Sequence, residues 1–189
     1  MDLHEQARRA LGHVSIARPD PSWPAHFAQE RERLQPFLGR VADELQHYRS
    51  TAIPELRAKP IIDMMAPVTS LDRADELGEN LATTGYCKID AGFFKRRFFR
   101  KVVTGADLAY HLHLVVSPNW PVKNELLLRD WLIQHQDVAR AYETLKVKLA
   151  AAYGDDMPRY TEGKSSFLRR AVNDARLHMG LPAERNWEE

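Results

Sequence analysis

The sequence predicts an α+β fold, with a mixed or mostly antiparallel sheet flanked by helices and a helical C-terminal third. Three observations predict it. Apolar residues recur at helical spacing near the start, short apolar or alternating runs fill the middle, and helical spacing returns from Lys123 onward. With 189 residues, of which 44% are hydrophobic and 28% charged, we expect one domain over residues 1–189. Residues 1–13 would form an N-terminal arm and residues 181–189 a C-terminal tail.

The first two elements differ in the strength of their pattern. Residues 21–38 predict a helix, because their apolar side chains fall on one face at helical spacing, and Gly39 is placed to end it. Residues 41–48 predict a strand only weakly, since their alternation is poor.

The middle of the chain predicts strands around one inserted helix. Residues 60–68, PIIDMMAPV, form a short apolar run typical of a buried strand. Thr69 or Ser70 then caps a helix that Gly85 closes. Residues 86–90 and 97–103 predict two further strands.

Residues 108–116 predict a strand with two different faces. Alternate residues from Leu108 to Val116 make one face wholly apolar, whereas the other face carries His111 and His113. Beyond Lys123, apolar stripes predict packed helices, and they comprise Val138, Tyr142, Leu145 and Leu149, then Phe167, Leu168, Ala171, Val172 and Ala175.

Charge and hydropathy narrow the class of protein. Twenty-seven basic against 26 acidic residues give a net charge of +1, which disfavours a partner bound through bulk charge, such as a nucleic acid. No apolar stretch approaches the roughly 18 residues of a membrane helix, the first residues are too polar for a signal peptide, and Cys87 is the single cysteine. We therefore expect a soluble, cytoplasmic protein with no membrane partner.

Asp63 is the first candidate site residue. It lies within the apolar strand, on one face with Ile61 and Met65, and it follows a polar turn that Ser50 opens. A buried carboxylate must be paired, hydrogen-bonded or bound to metal. Mg²⁺, which prefers carboxylate oxygens and phosphates, would satisfy this need. The alternative is that Asp63 caps a loop, or pairs with Lys59 or an arginine.

The histidine pair gives a second reading. His111 and His113 share one strand face and could join Asp63 or His47 in a metal site with two imidazoles and one carboxylate, which favours Zn²⁺, Fe²⁺ or Mn²⁺. Alternatively, both are hydrogen-bonded core or edge histidines. Arg97 is a weaker candidate to reach a phosphate or the Asp63 region, unless it belongs to a solvated edge strand.

The stretch HYRSTAIPELRAKPIID, residues 47–63, resembles the motif of the GrpB proteins, which belong to the nucleotidyltransferase-fold superfamily. Five further blocks resemble the family in the same order: RRFFRK at 96–101, HLH at 111–113, LRDWL at 128–132, YETLK at 142–146 and YTEGK at 160–164. The resemblance covers nearly the whole chain.

This resemblance implies a nucleotide or other phosphorylated small molecule as ligand. Ser50 and Thr51 would bind its phosphates and Asp63 would bind Mg²⁺, with Asp63 and His113 as catalytic candidates. Further nucleotide-binding candidates are Lys59, Arg97, Lys146, Tyr160 and Lys164. The sequence departs from the family motif at two positions, where Arg49 and Glu55 replace glycines. Met65 stands where active nucleotidyltransferases carry a second carboxylate, a lack that GrpB proteins in general resemble one another in sharing.

Three functions follow as hypotheses. The first is Mg²⁺-dependent transfer of a nucleotidyl group from a nucleoside triphosphate to a small acceptor. The second is a non-catalytic module that binds a nucleotide or coenzyme A, since relatives of the family are fused to dephospho-coenzyme A kinase. The third is a metal enzyme of other chemistry that uses His111, His113 and Asp63. Bulky Arg49 at the phosphate turn is expected to narrow the pocket, so Arg49→Gly should improve nucleotide affinity.

Overall fold

The computed structural model describes residues 13–103 and 105–184, and within them the strands form one five-stranded sheet. Its order is β1-β2-β5-β4-β3. Strands β2 and β5 are parallel, and the other neighbours are antiparallel, so the sheet is mixed. The strands are β1 (Gln46–Tyr48), β2 (Ile61–Val68), β3 (Cys87–Ile89), β4 (Arg96–Val102) and β5 (Ala109–Val116).

Helices precede, interrupt and follow the sheet. Helix α1 ends at Gly39, whose φ of 55° suits glycine, and Ser70 caps α2 by accepting a hydrogen bond from the Arg73 amide. The predicted α+β class, with its mixed sheet and helical C-terminal third, is confirmed. The helices are α1 (Trp23–Leu38), α2 (Leu71–Leu81), α3 (Asn124–Gln134), α4 (Gln136–Tyr153) and α5 (Met157–His178).

One face of the sheet forms the main hydrophobic core. Even-numbered residues of β2 and β5 point to this face, as the alternation of β5 predicts, and α1 and α2 cover it. Its fully buried residues include Leu34, Leu38, Ile62, Met64, Leu81, Phe99, Leu112 and Leu114.

The opposite face carries the polar candidates of β2 and β5. At one end it packs against α3 through Leu126, which joins Tyr48, Met65 and Val115 in a smaller apolar cluster. The C-terminal helices pack against the segment after β1 in a third cluster that contains Ile53, Leu56, Leu132, Tyr142 and Leu168. Helices therefore lie on both faces of the sheet.

The weakest sequence prediction is wrong in part. Residues 41–48 do not form one strand, because Gly39–Glu44 is a 3-10 helix and only Gln46–Tyr48 pairs with β2. Most of the predicted arm, residues 1–12, and the end of the predicted tail, residues 185–189, lie outside the described residues. Within the described part of the chain, no helix has the length and hydropathy that crossing a membrane requires.

Candidate functional site

A cavity of about 370 Å³ lies between the polar face of the sheet and the C-terminal helices. Its walls come from the end of β1, the turn after it, β2, β5 and all three C-terminal helices. Eight of the candidates that sequence reasoning named line this cavity: Ser50, Thr51, Lys59, Asp63, His111, Lys146, Tyr160 and Lys164.

The Ser50 turn is held against the start of β2. It is a 3-10 helix, Ser50–Ala52, that follows β1 directly. Thr51 is buried, and its hydroxyl donates to the Ile61 carbonyl at 2.7 Å and contacts His47 Nε2 at 3.0 Å. These contacts fix the turn beside the strand that carries Asp63, and both Ser50 and Asp63 line the cavity.

Asp63 occupies the centre of the sheet, next to His111 in the parallel register of β2 and β5. Its Oδ1 lies 3.2 Å from His111 Nδ1 and 3.3 Å from an Arg49 guanidinium nitrogen. Burial alone raises the pKa of Asp63, but the Arg49 charge and the His111 hydrogen bond outweigh it and lower that pKa below its usual value. The carboxylate is therefore ionised in a buried position.

His113 lies on the same face of β5 as His111, two residues further along the strand, and pairs in register with Met65. It is 1% exposed, its ring stacks on Phe98 at 4.6 Å, and burial holds its pKa well below the usual value. Among the described residues, neither ring nitrogen of His113 has a hydrogen-bond partner, nor has Nε2 of His111. One potential ligand atom from each of Asp63, His111 and His113 lies within 4.8 Å of the others.

Lysines form the opposite side of the cavity. Lys146 donates from Nζ to the Ser50 hydroxyl at 3.0 Å and to the Arg57 carbonyl. The ammonium groups of Lys59 and Lys164 lie over the Tyr160 ring, 5.3 and 4.7 Å from its centroid. Three cations and a hydroxyl thus converge on one space.

The protein environment lowers the pKa of two of these lysines and so disfavours their charged forms. Burial lowers the pKa of Lys146 to about 7. Burial, and then repulsion from Lys164, lowers the pKa of Lys59 to about 8. Within the described residues, neither Lys59 nor Lys146 forms an ion pair with a carboxylate. An anionic ligand would supply the missing negative charge.

Two predicted site residues lie elsewhere. His47 points to the apolar face, where its ring stacks on Phe27 at 5.1 Å, and it is not part of the Asp63 cluster. Arg97 also lies on the far face, opposite Leu114, and its guanidinium pairs with Asp75 of α2 at 2.9 Å. This placement corrects the expectation that Arg97 reaches the Asp63 region.

Sequence reasoning missed other residues of the cavity. Arg49 was read as a bulky substitute for glycine, but it is the arginine that pairs with Asp63, one of the alternatives left open above. Tyr142 was read only as part of an apolar stripe, yet its ring lies 4.8 Å from Lys146 Nζ. The four-residue spacing of Tyr142 and Lys146 on one helix face was the available signal.

Comparison with known proteins shows which family this chain is similar to. The model of the GrpB protein family matches residues 13–174. The UPF0157 protein YqkA of Bacillus subtilis (strain 168) is 34% identical over 164 residues, which are 86% of this chain and 47% of that protein. The chain therefore spans about half the length of this relative.

A solved structure of the same family is similar to this chain. The crystal structure of a conserved GrpB protein from Enterococcus faecalis has a TM-score of 0.76 and 28% identity, over 88% of this chain and 99% of that one. Cid1, which has RNA terminal uridylyl transferase activity, is similar with a TM-score of 0.49 and 17% identity, over 80% of this chain and 46% of that one.

Proposed function

The chain belongs to the GrpB family, and for this member we propose binding of a nucleotide-sized polyphosphate ligand in the cavity between the sheet and the C-terminal helices. The observation that carries the proposal is that Lys59, Lys146 and Lys164 line one cavity, where Lys146 donates to the Ser50 hydroxyl and the other two ammonium groups lie over the Tyr160 ring. Lysine ammonium groups and hydroxyls are the ordinary partners of phosphate oxygens.

Electrostatics support an anion at this place. The lowered pKa values of Lys146 and Lys59 mean that burial, together with repulsion from Lys164, disfavours their charged forms. A phosphate between them would offset this repulsion and restore both charges. Each charge-assisted hydrogen bond formed in this way contributes about 1.5 to 3 kcal/mol.

The remaining walls suit the rest of a nucleotide. The cavity volume of about 370 Å³ falls in the range of small-molecule sites. Apolar and aromatic side chains beyond the lysines offer a surface on which a planar base would pack. They are Ile53, Leu128, Leu132, Tyr142 and Leu168.

Nucleotidyl transfer is the reaction that the family resemblance implies for such a ligand. In it, an acceptor hydroxyl oxygen bonds to the α-phosphorus, pyrophosphate leaves, and the hydroxyl proton is released. Asp63, on the same wall as Ser50, is the proposed partner of the acceptor. His113 is buried behind this wall and does not line the cavity, so contact with substrate is assigned to Asp63 rather than to His113.

The Mg²⁺ that the resemblance implies does not fit the residues present. Mg²⁺ prefers an octahedron of oxygen ligands, typically from carboxylates, phosphates and water. Asp63 supplies one carboxylate, while the neighbouring positions of this face hold Met65, His111 and His113. We therefore assign no step of the reaction to Mg²⁺.

Isothermal titration calorimetry tests the binding proposal. The titrants are ATP, CTP, coenzyme A and inorganic tripolyphosphate, and the variants are Lys146→Met and its control Lys148→Met. Lys148 is exposed on the same helix, two residues away. We expect Lys146→Met to weaken the best titrant roughly 10- to 100-fold, because one charge-assisted hydrogen bond is lost, and Lys148→Met to leave it unchanged.

Three results would decide between the functions. Wild-type protein that binds none of the four titrants, or equal affinities for the two lysine variants, contradicts the proposal. Preference for coenzyme A over the triphosphates favours the coenzyme A module. Binding of a triphosphate with release of pyrophosphate upon addition of small alcohols or amines supports transfer, whereas binding with no release favours a non-catalytic nucleotide module.

A further inference from the structure

We infer that Asp63, His111 and His113 form a site for a divalent transition metal of the zinc, manganese or iron type. The inference concerns a metal other than the one that the family resemblance implies. It requires no nucleotide, because all three side chains belong to the sheet itself. It goes beyond the proposed function by assigning a ligand to the nitrogen-rich part of the polar face.

Strand pairing places the three side chains together. Asp63 and His111 are register partners in the parallel pair β2 and β5, and His113 is the next residue on the same face of β5. Their potential ligand atoms lie within 4.8 Å of one another. Asp63 Oδ1 and His111 Nδ1 are 3.2 Å apart. Two atoms that each lie about 2.1 Å from one ion are roughly 3.0 to 3.4 Å apart, so this spacing suits neighbours in a coordination shell.

Unsatisfied nitrogens are the second observation. Nε2 of His111 and both ring nitrogens of His113 are buried and have no hydrogen-bond partner among the described residues. Leaving a buried polar atom unpaired costs about 1 to 3 kcal/mol. Stacking on Phe98 accounts for the position of the His113 ring but satisfies neither nitrogen. A metal ion held through His111 Nδ1 and one ring nitrogen of His113 would satisfy that His113 nitrogen and would leave His111 Nε2 unpaired.

The chemistry of the donors selects the metal. Imidazole nitrogen suits zinc, iron, copper and nickel, whereas Mg²⁺ takes oxygen ligands. Two imidazoles and one carboxylate are also a common ligand set for zinc and iron sites that keep positions open for water or substrate. Since Asp63 and His111 also line the cavity, a metal here would lie at the edge of the proposed ligand space.

Arg49 contacts the proposed ligand Asp63, and its side chain is more exposed than that of the aspartate. Its guanidinium contacts Asp63, but the side chain is 41% exposed, whereas that of Asp63 is 11% exposed. A metal ion at Asp63 Oδ1 would displace the Arg49 guanidinium from that oxygen, whereas the contact of the guanidinium with the Tyr48 ring does not involve Asp63.

The test is metal binding to chelator-treated, nucleotide-free protein. Calorimetric titrations with Zn²⁺, Mn²⁺ and Mg²⁺ give affinity and stoichiometry, and Co²⁺ provides a visible absorption band that reports nitrogen ligands. The variants are Asp63→Asn and His113→Phe. The second variant keeps an aromatic ring against Phe98. The control is His47→Gln, because His47 is a buried histidine of the opposite face. Circular dichroism checks the folding of each variant.

We expect one equivalent of Zn²⁺ or Mn²⁺, much weaker binding of Mg²⁺, and a Co²⁺ band in wild-type protein. Removing a hydrogen-bond partner of a metal ligand lowers metal affinity by about 10- to 100-fold. Asp63→Asn and His113→Phe change the ligands themselves, so each should lower the Zn²⁺ affinity by more than this. His47→Gln should retain binding. Absence of the Co²⁺ band, equal binding of Mg²⁺, or unchanged affinity in a folded His113→Phe protein would overturn the inference. None of these readouts depends on nucleotide binding.

Discussion

Replacement of Lys146 by methionine should change how stability depends on pH. Lys146 is 2% exposed, and burial lowers its pKa to about 7, compared with 10.5 for the free side chain. Between these two values the unfolded chain holds a proton that the folded protein has released. The free energy of unfolding therefore rises with pH in this window, by about 1.4 kcal/mol per pH unit for one proton.

The magnitude follows from that slope. From about pH 8 to about pH 10, wild-type protein should gain about 2.5 kcal/mol relative to Lys146→Met, which lacks this titration. Titrations that both proteins share, including that of Lys59, cancel in the comparison. Urea unfolding of both proteins at the two pH values, followed by circular dichroism, measures the difference. A difference between wild type and variant that stays constant within about 0.5 kcal/mol would refute the assignment of a lowered pKa to Lys146.

Three further predictions concern the cavity and its turn. Tripolyphosphate affinity should fall as pH rises from about 6.5 to about 8.5, because binding requires the protonated form of Lys146; calorimetry at several pH values measures this, and a flat profile argues against a phosphate beside this lysine. Arg49→Gly should tighten triphosphate binding roughly fivefold, since it removes a bulky side chain from the lining of the cavity; weaker or equal binding in calorimetry argues against a narrowed cradle. Glu55→Gly should raise the free energy of unfolding by about 1 kcal/mol, because exposed Glu55 has φ of 60°; urea unfolding should show no such gain for Glu55→Ala, which keeps the strained Cβ.

The central strands could be predicted from sequence because their patterns are local. The run from Pro60 to Val68 is apolar and bounded by turn residues, and the structure has a strand there, Ile61–Val68. The two faces of β5 were also readable, since alternation is a property of the strand alone. The α+β class follows directly from these elements and from the helical stripes after Lys123.

The first strand could not be predicted because it depends on a partner. β1 has three residues, Gln46–Tyr48, and is defined by antiparallel pairing with β2 rather than by its own alternation. The residues before it form the 3-10 helix Gly39–Glu44 instead. Pairing between distant segments decides both outcomes, and one segment's propensity does not contain that information.

The candidate site was predictable where one motif supplies it. Ser50 and Asp63 line the same cavity because the turn that carries Ser50 is held against the start of the strand that carries Asp63, through the hydrogen bond from the Thr51 hydroxyl to the Ile61 carbonyl. Lys146 and Lys164, far away in the chain, were named only through the family resemblance, and the structure brings both to the same cavity.

The faces that β4 side chains occupy could not be predicted from the sequence. Arg97, Phe99 and Lys101 share one face of β4, and pairing with β5 decides which side of the sheet that face belongs to. That pairing puts Phe99 in the core and Arg97 beside Asp75, away from the cavity. The ion pair of Arg49 with Asp63 was equally unreadable, because it requires the positive φ at Arg49 and the register of β1 with β2.

A crystal structure with a non-hydrolysable nucleoside triphosphate analogue tests the central claim most directly. We expect phosphate oxygens in contact with the Ser50 hydroxyl and with the ammonium groups of Lys146 and Lys164. The base should pack against Tyr142 or its apolar neighbours. Phosphates bound at another surface, or a cavity that stays without ligand at saturating analogue, would contradict it.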